Sequence, residues 1–197
     1  MAVAIVFETH SLTTDNEAGV ATGWLDGELS ERGRALAREL GRRRRTDRVK
    51  AVFTSDLGRA VETVELAFAG SAIPVKLDAR LRECDYGAWN GMPVSRLERE
   101  RTQRVCRPFP DGESYLQVVA RVASFLEELA HNFDEARVVV VGHSGTRWAL
   151  DHLLAGADLH DLVAAPFAWQ EGWSYALPTA WQRGGVGGQR GLGNHPL

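Results

Sequence analysis

In Val138-Val139-Val140-Val141-Gly142-His143-Ser144-Gly145, consecutive β-branched residues run without polar alternation into a turn that carries a histidine. A strand with that pattern is covered on both faces, as the strands of parallel sheets are. The residues just after His143, through Leu150 to Leu154, continue as a helix. Working outward, Ala2-Val3-Ala4-Ile5-Val6-Phe7 and Ala51-Val52-Phe53-Thr54 read as further buried strands, and Pro74 to Leu77 as a weaker one. Helical spacing lies between them. Ser30 can cap a helix reaching about Arg43, Leu57 to Phe68 is a second, and Ser114 to Phe133 carries the longest apolar stripe. Phe167 to Trp169 and Ser174 to Leu177 suggest a late edge hairpin. Strands alternating with helices predict a three-layer α/β/α fold around a mostly parallel central sheet, with its ligand crevice outside the carboxyl ends of the strands.

The chain has 197 residues, 44% of them hydrophobic and 25% charged, with a formal net charge of -3. That length and composition predict a single domain over 1–182, followed by a Gly-rich flexible tail over 183–197. No internal repeat is visible. A mildly acidic chain gives no electrostatic reason to bind nucleic acid, and the arginines at Arg42 to Arg45 read as a solvated helix end. No apolar run approaches the roughly 20 residues that span a bilayer. Cys84 and Cys106 form neither a metal-ligand spacing nor a disulfide framework, which points to a reducing, cytoplasmic setting. The apolar edge near Phe167 and Trp169 can support a homodimer.

The polar residues that follow the strands carry the chemistry. Glu8, Thr9, His10 and Ser11 follow the first strand; Ser55, Asp56 and Arg59 the second; His143 and Ser144 the valine run. Two imidazoles, a guanidinium and helix starts suit a phosphoryl group, whose transfer is catalysed mainly by positioning and electrostatic stabilisation. A neutral histidine can attack phosphorus and form a covalent intermediate, and a carboxylic acid can protonate the leaving alkoxide. The loop Leu81-Arg82-Glu83-Cys84-Asp85-Tyr86-Gly87 offers Glu83 and Asp85 for that proton. The plainer alternative is that these are ordinary core histidines and surface charges.

Several blocks, in order, resemble the histidine phosphatase superfamily in its phosphoglycerate-mutase-like branch. They are Thr9-His10-Ser11 with Asn16, Gly23-Trp24-Leu25-Asp26, Leu29-Ser30-Glu31-Arg32-Gly33, Thr54-Ser55-Asp56-Leu57-Gly58-Arg59-Ala60, the Leu81 to Gly91 loop, Asp111-Gly112-Glu113-Ser114, and Val141 to Gly145. The resemblance implies a phosphomonoester hydrolase acting on a small phosphorylated metabolite through a phosphohistidine intermediate. His10 would be the nucleophile, Glu83 the proton donor, and His143 a third catalytic group. Arg59, Asn16, Thr9, Ser11, Arg82 and Ser144 would hold substrate or phosphate. No metal or organic cofactor is implied, and the chain's compactness favours the phosphatases of the family over its mutases.

The resemblance also exposes a departure. The family's leading block is Arg-His-Gly, and here it is Thr9-His10-Ser11. A lost guanidinium removes a bidentate contact worth about 3–4 kcal/mol if it equals an oxyanion-hole donor, or a rate factor of order 10²–10³. Arg82 and Arg147 are the candidates to replace it. Glu8 stands where the family has an apolar residue. If the strand continues to His10, Glu8 faces the same side, and its carboxylate can fix the tautomer of the imidazole. The alternative function is a divergent member that abandoned the phosphate clamp for other acid–base chemistry or for ligand binding.

Overall fold

The valine run explains itself once its neighbours are in place. In the computed structural model, which describes residues 1–183, Val138 and Val140 pack on one side of the sheet and Val139 and Val141 on the other. Of the expected Gly-rich tail, 184–197 lie outside the described residues. The elements in chain order begin with β1 (Ala2–Thr9), α1 (Thr14–Ala18), β2 (Val20–Ala21), α2 (Glu31–Arg44), β3 (Ala51–Thr54) and α3 (Gly58–Ala67). Next come β4 (Val75–Leu77), β5 (Met92–Pro93), α4 (Val94–Glu100) and α5 (Tyr115–Asn132). The series ends with β6 (Arg137–Gly142), α6 (Ser144–Ala155), α7 (Leu159–Ala164) and β7 (Trp173–Pro178).

A five-stranded sheet runs in the order β4-β3-β6-β1-β7, parallel except for β7. Val6, Val52, Val139 and Val141 meet Leu40 of α2 and Val64 of α3 on one face. Val3, Ile5, Phe7, Val138 and Val140 meet Val122, Leu126 and Leu129 of α5 and Leu150 of α6 on the other. The fold is thus α/β with a mostly parallel sheet between two helical layers. It places the carboxyl ends of β1, β3 and β6 side by side, followed at once by His10, Arg59 and His143.

Local chemistry sets the helix starts. Ser30 caps α2 by accepting the Gly33 N–H, and Ser114 forms a reciprocal capping box with Gln117 on α5. The late hairpin does not form. Only Trp173–Pro178 is a strand, and it pairs antiparallel with β1 in the register Val3↔Leu177 and Phe7↔Trp173. Pairing with the open edge of β1 buries Leu177 completely and brings Trp173 onto the Phe7 ring, whereas Phe167 and Trp169 stay exposed outside the sheet.

The loop after β1 is fastened to the first turn of α2. Ser30 N–H donates to the Leu12 carbonyl at 3.0 Å, and Ser11 Oγ donates to the Gly33 carbonyl at 2.6 Å. A Cβ on Gly33 would collide with the Leu12 carbonyl, so only glycine permits this approach. Gly33→Ala is therefore expected to destabilise the protein by about 1–3 kcal/mol, the usual cost of overpacking. Urea denaturation checks it, and an unchanged midpoint would contradict the contact.

Candidate active site

Arg59 sits in the first turn of α3, almost wholly buried, and its guanidinium spans the two histidines. Its Nε–H donates to His10 Nε2 at 3.4 Å, and its Nη2 approaches His143 Nδ1 at 3.3 Å. Nη1 and Nη2 also donate to the carbonyls of Leu25 and Gly23, at 3.3 and 2.8 Å. The imidazoles lie with ring centroids 5.0 Å apart. Strand ends far apart in sequence therefore deliver two imidazoles and one guanidinium to a single point.

These contacts fix both tautomers. His10 Nδ1 lies 2.7 Å from the Ser11 carbonyl, which only accepts, so Nδ1 carries the proton and Nε2 the lone pair. Arginine only donates, so His143 Nδ1 accepts and its Nε2 carries the proton. That Nε2–H is buried and has no hydrogen-bond partner among the described residues. Desolvation, then the charge on Arg59, lowers the His10 pKa to about 3; the same causes hold His143 well below the ordinary histidine range. Both rings are neutral at physiological pH.

Glu83 reaches the cluster from the loop between β4 and β5. Its Oε1 accepts the N–H groups of Cys84 at 2.8 Å and Gly145 at 3.0 Å. A Cβ at position 145 would strike that oxygen, so Gly145 lets α6 come close. Burial raises the carboxyl's pKa, opposed by the Cys84 N–H and by Arg59, and favours the protonated acid. Arg121, and Trp24 of the Gly23 to Asp26 block, to neither of which the sequence assigns a role, hold this loop. Trp24 Nε1 donates to the Glu83 carbonyl at 2.7 Å, Arg121 Nη2 to the same oxygen at 2.9 Å, and Arg121 Nε to Glu113 at 2.9 Å. The signal for Arg121 is a charge set inside the apolar stripe of α5, between Val119 and Val122.

The other expected residues divide. Thr9, His10, Asn16 and Ser144 line one cavity of about 500 Å³ that extends toward α2, Phe167 and Trp169. Asn16 Oδ1 caps α1 through the Thr13 N–H, leaving its amide nitrogen for the cavity. Ser11 lines the same cavity, but its hydroxyl donates to the Gly33 carbonyl and its N–H to Thr63 Oγ1 at 2.9 Å, so neither donor is turned to the cavity. Arg82 is not brought to the histidines; it forks onto Asp56 with two contacts of 2.6 Å and stacks over Trp24. Arg147 lies over Trp173 and pairs with Asp151.

The carboxylate–histidine pair expected for Glu8 does not form either. The strand ends at Thr9, so His10 turns out of the alternation. The buried Glu8 carboxylate instead accepts from Arg44 Nε at 2.7 Å, with Arg43 at 3.8 Å. Its pKa is raised by burial and held down by Arg44, and Arg44 also donates to the Glu171 carbonyl at 2.9 Å. The buried negative charge next to the site is thereby paired. No helix among the described residues is long and apolar enough to cross a membrane, and no group of three or more potential ligands among them could hold a metal.

A family model described as the histidine phosphatase superfamily (branch 1) matches residues 5–169. The chain belongs to the histidine phosphatase superfamily. Phosphoserine phosphatase 1 of Hydrogenobacter thermophilus is 32% identical over 166 residues, covering 80% of this chain and 78% of the relative. A 2,3-bisphosphoglycerate-dependent phosphoglycerate mutase of a Methylobacterium species is 32% identical over 167 residues, 77% of this chain and 80% of that one. The structure of a mycobacterial glucosyl-3-phosphoglycerate phosphatase complexed with VO3 matches with a TM-score of 0.74 at 26% identity, over 83% of this chain and 85% of that one. This histidine phosphatase is an enzyme of the phosphoric monoester hydrolase type.

The assignment of Glu8 to Arg44 has a measurable consequence. Glu8→Gln should lower the unfolding free energy by roughly 1–3 kcal/mol, the worth of a hydrogen bond between charged groups. The His10 Nδ1–H resonance should keep its chemical shift, because its partner is the Ser11 carbonyl. A large displacement of that resonance would return Glu8 to the imidazole.

Proposed function

We propose that the protein hydrolyses a small phosphorylated metabolite through a phosphohistidine intermediate, with His10 as nucleophile and Glu83 as proton donor. One observation carries this reading: a buried guanidinium without a carboxylate bonded to it, flanked by two neutral imidazoles. That set suits a tetrahedral dianion, because the Arg59 charge has no carboxylate bonded to it and the His143 Nε2–H has no partner among the described residues.

In the first step the His10 Nε2 lone pair attacks phosphorus, the ester P–O bond breaks, and the leaving alkoxide takes the Glu83 proton. In the second, a water attacks phosphorus and returns a proton to the Glu83 carboxylate, and the P–N bond breaks to free neutral His10. Asn16 and Ser144, which line the cavity, would donate to phosphoryl oxygens. The relatives include both phosphatases and a mutase. We favour hydrolysis because the segment following β5, where added chain would shape a larger substrate enclosure, holds only α4 and one short 3-10 turn.

Orthophosphate release from an aryl phosphate tests this. His10→Ala should reduce kcat/KM at least about a thousandfold, and only the wild type should hold acid-labile phosphate after a quench. A protein that releases no orthophosphate from a broad ester panel and does not bind vanadate would overturn the reading in favour of a clampless member with other chemistry.

The pH profile gives a second test. A lowered His10 pKa keeps the nucleophile neutral as pH falls, so kcat/KM should show no acid limb near the ordinary histidine pKa. A raised Glu83 pKa keeps the acid protonated above the usual carboxylate range, so kcat/KM should fall as pH rises through it. Glu83→Gln should remove that alkaline limb while lowering the plateau about 10²–10⁴-fold. An alkaline limb that survives in the variant would take the role from Glu83.

A further inference from the structure

Thr9 stands where the family resemblance leads one to expect an arginine, and the two replacements suggested by sequence are committed elsewhere, Arg82 to Asp56 and Arg147 to Trp173 and Asp151. The cavity that begins at Thr9 and His10 is lined by two other arginines, Arg32 and Arg43, both on α2. Arg43 is shared between Glu8 and Glu171, each at 3.8 Å. Arg32 is exposed and has no hydrogen bond or ion pair among the described residues. Its backbone is nevertheless held close to the nucleophile. The residues on either side of it in the first turn, Ser30 and Gly33, make the two bonds to Leu12 and Ser11 that fasten α2 to the loop carrying His10.

We propose that Arg32 supplies the phosphate-clamping guanidinium that position 9 lacks, entering from α2 through the space beside Thr9. The inference rests on the phosphohistidine reading of His10. Glu83, Arg59 and His143 are not among the residues lining this cavity, so a group entering through it comes to His10 from a flank that those three side chains do not line. In-line attack puts the leaving oxygen opposite Nε2, so a group arriving from that flank meets a non-bridging phosphoryl oxygen. Such an oxygen carries charge throughout the reaction, and a guanidinium forms charge-assisted hydrogen bonds to it.

Vanadate inhibition and kcat/KM on an aryl phosphate test the assignment, in wild type, Arg32→Ala, Thr9→Arg and the double variant. Arg32→Ala should weaken vanadate binding and lower kcat/KM by about 10- to 100-fold. Thr9→Arg should recover most of that loss in the Arg32→Ala background and add little to the wild type. Arg38→Ala, on the exposed side of the same helix, should change neither. Equal vanadate affinity in wild type and Arg32→Ala, with the wild type active, would overturn the role of Arg32 alone. A wild type that neither binds vanadate nor hydrolyses phosphate esters would overturn the phosphatase reading and this inference with it.

Discussion

A guanidinium buried with no negative group bonded to it is an expensive object, and the site is organised around one. Arg59 gives its hydrogen bonds to two carbonyls and two ring nitrogens, none of which cancels its charge. Burial alone would make that arrangement unfavourable. It becomes useful when the ligand is itself an anion, since the site then supplies charge without reorganising. Burial, together with the same charge, keeps both imidazoles neutral, which leaves a lone pair on His10 Nε2 and a donor on His143 Nε2. Burial and one guanidinium thus set the protonation of His10 and the demand for an anion together.

The fold earns this arrangement through ordinary packing. Valines covered on both faces fix β6 between β1 and β3, and that order brings the three strand ends together. Each approach is then made close by a glycine, Gly33 under the β1 loop and Gly145 against Glu83. Glu8 could have spoiled the electrostatics, but the Arg44 guanidinium at the far end of α2 pairs with it. Helix α2 therefore acts at both ends, neutralising a carboxylate at its C-terminus and presenting Arg32 at its N-terminus.

Much of this was legible in the sequence because it depends on local pattern. The apolar runs at Ala2, Ala51 and Val138, the Ser30 and Ser114 caps, and the polar residues after each strand are all readable within a few positions. What escaped depends on distant partners. Glu8 finds Arg44 36 residues away, and nothing at position 8 alone distinguishes that from a contact with His10. Tyr175 and its neighbours pair with β1 across nearly the whole chain, so the hairpin inferred from proximity was replaced by a non-local ladder. Trp24 acts on a backbone carbonyl, a target that leaves no mark on the side chains around it, and Arg121 shows in the sequence only as a charge inside the apolar stripe of α5. Ser11 and Arg82 carry the right chemistry, but their hydrogen-bonding capacity is taken up by Gly33 and Asp56.

The central claim is that burial and Arg59 keep His10 neutral with its lone pair on Nε2. A pH titration of the imidazole resonances by nitrogen-15 NMR, in wild type and in Arg59→Gln, measures this directly. The wild-type ring should remain neutral and Nδ1-protonated until the pH approaches about 3, and removing the guanidinium should move that titration upward. A His10 that protonates near the ordinary histidine value of about 6.5 in the wild type, or that titrates identically in the variant, would contradict the account.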